Sequence, residues 1–164
     1  MSTQIRNLIK TIDIKELDST DKEELLRFFM VTQDPGIRNH LALIFYDFRY
    51  NEAAPFIIQK INEPELYNCN GTLVFALSDM DVSQYYLDIV KILCEQEYEA
   101  RWGAFDILKI HALNISDTTR YDALKLLEQY EEILLTTGAD NANNSTLHFI
   151  EETRALLTKL KTHH

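Results

Sequence analysis

The chain has 164 residues, a formal net charge of −10 and a hydrophobic share of 46%, with only four glycines and three prolines. That length and apolar content suit one globular domain with a substantial core and exclude general disorder. So few turn formers disfavour an all-β fold, and the acidity disfavours nucleic-acid and anionic-membrane binding, which begin with Lys and Arg on phosphates.

Residues 2–11 carry Ile5, Leu8 and Ile9 at helical spacing and predict a short first helix. Asp21 with Glu24 has capping-box spacing ahead of Leu25-Leu26 and Phe28-Phe29, so a second helix is expected to run up to Asp34-Pro35-Gly36. Residues 1–33 thus read as an N-terminal cap. Asp34 and Pro35 suit the N-cap and first turn of the next helix, whose Leu41, Ala42, Phe45 and Phe48 share a face. After a break at Arg49-Tyr50-Asn51, a partner helix carries Ile57, Ile58 and Ile61. Glu63-Pro64 closes it, because the residue before proline avoids the helical region.

The same pair is then written again: a helix over 70–80, a turn at Asp81-Val82-Ser83 and a helix over 84–96. A third pair spans 98–112 and, after a turn from Asn114 to Asp117, continues to about 135, with Gly138 as its C-terminal cap. Residues 136–145 read as a loop, polar from Asp140 to Asn144. Residues 146–162 read as a closing helix with Leu147, Ile150, Leu156, Leu157 and Leu160.

The repeat is visible in columns. In the first helices Ala42, Val74 and Ala104 align, as do Phe45, Leu77 and Ile107, and Phe48, Met80 and Ile110, at offsets of 32 then 30 residues. In the second helices Ile57, Ile89 and Ala123 align, as do Ile58, Val90 and Leu124, and Ile61, Leu93 and Leu127, at offsets of 32 then 34. A recurring helix pair cannot bury its apolar stripe alone; stacking pair on pair buries it. The expected fold is therefore all-α: a short α-α superhelix of three helix pairs over 34–135, within a single domain, with capping helices at both ends.

The stretch Asp34 to Ile61, DPGIRNHLALIFYDFRYNEAAPFIIQKI, resembles a HEAT repeat. It has the Asp-Pro start, an Arg at the head of the first helix, a small residue within it, an Asp near its end and the block AAPFIIQKI. The resemblance extends to about residue 135; the later repeats lack the Pro start, and Asn70 stands where the Arg would be. It implies a right-handed solenoid that acts as a scaffold or binder. Some small bacterial proteins of this kind are immunity proteins that block toxins, and others are base-excision enzymes.

Cys69 and Cys94 lack metal-ligand spacing and read as buried free thiols of a reducing compartment. No apolar run is long enough to span a bilayer or act as a signal peptide, so a cytoplasmic protein is expected. Cys94 and His111 have no apparent orienting group, and His40, His111 and His148 show no paired ligand motif. The carboxylate pairs Glu23-Glu24, Glu131-Glu132 and Glu151-Glu152 read as solvated faces, since adjacent helical residues point apart. The four glycines read as turns or helix starts. No catalytic residue, cofactor site or metal site is expected.

Residues 61–100 hold Glu63, Glu65, Asp79, Asp81, Asp88, Glu95, Glu97 and Glu99 against the single base Lys91. The window also carries Tyr67, Tyr85, Tyr86 and Tyr98, with Arg101 and Trp102 following. Acids complement a basic partner, and Tyr, Trp and Arg dominate binding hot spots. The expected contact residues are Tyr46, Asp47, Tyr50, Asp79, Asp81, Tyr85, Tyr86, Asp88, Glu95 and Trp102, although packing between repeats is the stronger reading for Trp102 itself. The leading expectation is an inhibitor that occludes a basic toxin domain, for instance a nuclease. An intracellular adaptor, or an enzyme of lyase or glycosylase type, are the alternatives.

Overall fold

The computed structural model describes residues 17–64, 69–139 and 145–159. The expected helix over 2–11, Tyr67, the Asp140 to Asn144 loop and Leu160 lie outside the described residues. The described chain is all-α, with eight helices: α1 Ser19–Val31, α2 Pro35–Asp47, α3 Ala54–Ile61, α4 Gly71–Leu77, α5 Tyr86–Glu95, α6 Tyr98–His111, α7 Asp117–Thr137 and α8 Thr146–Lys159.

Local chemistry sets the ends. The α1 capping box is built by Asp18 and Asp21, each carboxylate accepting the other's backbone N–H at 2.9–3.0 Å. The box expected at Asp21 and Glu24 therefore sits one turn earlier, because Asp18 offers the same spacing. Asp34 accepts from the N–H groups of Gly36 and Ile37 at the head of α2, with Pro35 in the first turn. Ser116 caps α7, and Gly138 ends it at φ +64°, a left-handed position that costs a residue with Cβ but not glycine.

The first helices α2, α4 and α6 pack side by side in one layer. The second helices α5 and α7 pack against one another, α3 lies on α4, and α5 turns back onto α6 through Gln96-Glu97. Helix α1 covers α2 at one end, and α8 closes the other by lying against α5, α6 and α7. This arrangement is compatible with a short α-α superhelix.

Burial follows the columns. Ala42, Val74 and Ala104 are fully buried, as are Phe45, Leu77 and Ile107, and Ile61, Leu93 and Leu127. One column fails at its third member: Met80 is buried, Phe48 is half-buried under the Lys22 ammonium, but Ile110 is 58% exposed.

Polar groups at the turns between pairs are buried too. The Arg38 guanidinium donates to the Cys69 carbonyl at 2.9 Å, and Lys60 donates to the Met30 carbonyl and to Glu63. The Asn70 amide donates to the Ile61 carbonyl at 3.0 Å and to Gln96 at 2.8 Å, and Arg101 donates to the carbonyls of Leu93 and Gln96. Lys60, Asn70 and Arg101 thereby satisfy carbonyls at helix C-terminal ends, and Arg38 satisfies one in the loop ahead of α4. Asn70 replaces the arginine of the repeat pattern yet makes the same kind of tie.

Two further expectations are corrected. Cys69 is exposed while Cys94 is buried. Gly103 lies inside α6 rather than at a turn, and a Cβ there would sit 3.0 Å from Val74 Cγ1. Glycine is what lets α6 approach α4 so closely.

Candidate interaction surface

The expected contact residues fall into four places. Asp47, Tyr50, Asp79, Asp81 and Tyr85 sit around the turns joining first to second helices. Asp79 accepts from Arg49 at 2.7 Å, and the Asp81 N–H donates to Asn51 Oδ1 at 2.8 Å. These contacts tie the first turn to the second, so both acids also serve the stacking. The hydroxyl and N–H of Ser83 hold the Asp81 carboxyl below the ordinary carboxylate range, against a small opposing effect of burial. Tyr50 and Tyr85 are half-buried against the core, and Asp47 is exposed. Burial pushes the Tyr50 phenol up, helped by Glu52 and Glu23.

Asp88 and Glu95 lie on α5, in the second-helix layer. Asp88 faces Lys91 at 3.5 Å, and Glu95 accepts from the Tyr130 hydroxyl. Tyr86 is internal: it is 1% exposed, and its hydroxyl donates to the Leu108 carbonyl at 3.2 Å. Burial drives its phenol well above the ordinary value, with Arg120 opposing. It is therefore a core residue and not part of a surface. Tyr85 and Tyr86 straddle the change from a 3-10 turn to α5; Tyr86 is sealed in the core while Tyr85 stays half-buried against it.

The last place is the outer flank of the first-helix layer. The Tyr46 ring packs on Phe75, with centroids 5.0 Å apart. Trp102 meets Phe149 by a ring edge and Tyr98 at a tilt and is still 52% exposed, more open than a residue packed between repeats. Between α4 and α6 runs a groove of about 570 Å³, lined on the α4 side by Gly71, Phe75 and Ser78. Glu99, Trp102, Gly103, Asp106, Lys109 and Ile110 line its α6 side.

Phe75 and Ile110, both more than half exposed, were missed from sequence. Phe75 sits one step off the inward Val74 column, whereas Ile110 falls in the column of Phe48 and Met80 and pattern alone marks it as core. A second groove lies between α7 and α8, where Arg154 grips Glu131 at 2.6 and 3.2 Å beside the exposed Tyr121.

Burial pushes the Cys94 thiol up to about 12, with Glu95 adding to the rise and Arg101 opposing it, the reverse of an activated nucleophile. Among the described residues no group of three His, Cys, Asp or Glu is placed to hold a metal, and no helix is long and apolar enough to cross a membrane. No family model, curated protein or solved structure matches this chain.

Proposed function

We propose that this protein is a non-catalytic binding module for a basic protein partner, acting in the cytoplasm as an immunity-type inhibitor that occludes a toxin domain stoichiometrically. The observation that carries this reading is the outer flank of the first-helix layer. Half-exposed aromatics, Phe75 and Trp102, stand there beside the carboxylates of Glu99 and Asp106. An exposed apolar patch rimmed by charge is the usual mark of a protein-binding surface. The net charge of −10 would draw a cationic partner to it and repel nucleic acid. The toxin-blocking part of the reading rests on the resemblance of the Asp34 to Ile61 stretch to HEAT repeats.

The test is capture of defined basic toxin domains by the purified protein, with stoichiometry and toxin activity both measured. One-to-one capture with loss of toxin activity supports the inhibitor. Capture without loss of activity reduces the reading to an adaptor. Failure to bind any basic protein, alongside turnover of a small substrate, removes it.

A further inference from the structure

The α4–α6 groove has a definite chemical pattern. Glu99, Trp102, Asp106 and Ile110 fall at steps of three, four and four residues, so α6 offers one stripe that alternates acid and apolar. At 1.5 Å per residue this stripe is about 16 Å long, roughly three helical turns. Gly71 and Phe75 of α4, with Ser78 at its C-terminal cap, make the facing stripe. Gly103 leaves the floor without a side chain, because a Cβ there would already meet Val74. The two ends differ in charge. Asp106 is paired with Lys109 at 2.7 Å, whereas Glu99 has no ion-pair partner among the described residues. Glu97 stands one turn-start away, its side chain accepting from the Asn70 N–H while its second oxygen is buried without a partner.

We infer that this groove receives a short amphipathic helix of the partner protein, an apolar anchor seated between Phe75 and Trp102 and a lysine or arginine one turn away facing Glu99. The inference rests on the binding-module reading and assigns its contact site. Two parallel helices with an open floor form a seat for a third helix, read by apolar anchors three or four residues apart. A cation is selected at the Glu99 end, where that carboxylate has no ion-pair partner among the described residues and stands one turn from Trp102, whereas Lys109 neutralises Asp106 at the other end. An acidic helix would be repelled there.

Trp102 is the only tryptophan of the chain, so its fluorescence reports the groove directly. The probes are three synthetic helical peptides of about 12 residues: leucine anchors flanked by lysines, the same with glutamates, and one with lysines but no leucines. Only the first should shift Trp102 emission to the blue and shield it from acrylamide. Phe75→Ser and, separately, Glu99→Lys should each weaken that peptide by about tenfold or more, with the helical circular-dichroism signal unchanged.

An unshifted Trp102 overturns the proposal, and so does equal binding of the lysine peptide lacking leucines. Self-association that Phe75→Ser abolishes also overturns it, since the occupant would then be a second copy. A basic partner protein that binds the Phe75→Ser variant undiminished overturns the groove but leaves the binding-module reading standing. If no basic protein binds the unsubstituted chain, both fall.

Discussion

Cys69 and Cys94 carry the same thiol in opposite settings, and their reactivity should separate cleanly. Cys69 is exposed, whereas Cys94 is buried with its thiol pushed up to about 12. Iodoacetamide at neutral pH should add one label to the native protein, at Cys69, and two in denaturant; early labelling of Cys94 would contradict the packing of α5. The sign of the alkaline effect also follows. An unfolded Cys94 ionises near the ordinary thiol value, while the folded one keeps its proton up to about pH 12. The effect of Cys94 on stability should therefore be absent below about pH 8 and should grow as a loss while pH rises from there, which denaturant melts at pH 8 and 10.5 would show. Asn70 is the most telling polar residue, being fully buried with donors to Ile61 and Gln96. Asn70→Ala leaves two buried acceptors unmet and should cost about 2–3 kcal/mol in a urea melt. Sequence marked Asn70 only as a departure from a pattern; its two partners come from different turns and had no local signature.

At the scale of the elements, the helices were legible because their signals are local: the cap at Asp34, the turn from Asn114 to Asp117, the Gly138 stop and apolar columns at nearly fixed offsets. Where two nearby residues offered the same cap spacing, as Asp18 and Asp21 do against Asp21 and Glu24, the start of α1 was read one turn late. Gly103 was misread for a different reason. Its role is the distance from α6 to α4, which no single helix encodes. Gly103→Leu should force the two helices apart and destabilise by about 1–3 kcal/mol, despite leucine's better helix propensity. It should also lower α4–α6 protection in amide exchange. Unchanged stability would mean that α6 does not lean on Val74.

For the whole molecule, charge makes the prediction. A net charge of −10 should steer a basic partner, so its association rate should drop by about tenfold or more between low and high salt while dissociation changes little. Stopped-flow traces at two salt concentrations decide this, and a salt-independent rate removes steering from the mechanism.

The amino-acid order was enough for the all-α class, the succession of helix pairs and most of the core, since periodic apolar residues must turn one face inward wherever they pack. The groove was not written there. Tyr86 and Trp102 are both aromatic residues in the N-terminal halves of their helices, and only the neighbouring elements separate them. Tyr86 meets the Leu108 carbonyl of α6 and is sealed in. Trp102 meets Phe149 of α8 by a ring edge and stays half open among the described residues. Which apolar side chain is covered depends on what the rest of the chain leaves unfilled, and that is a property of the assembled layers.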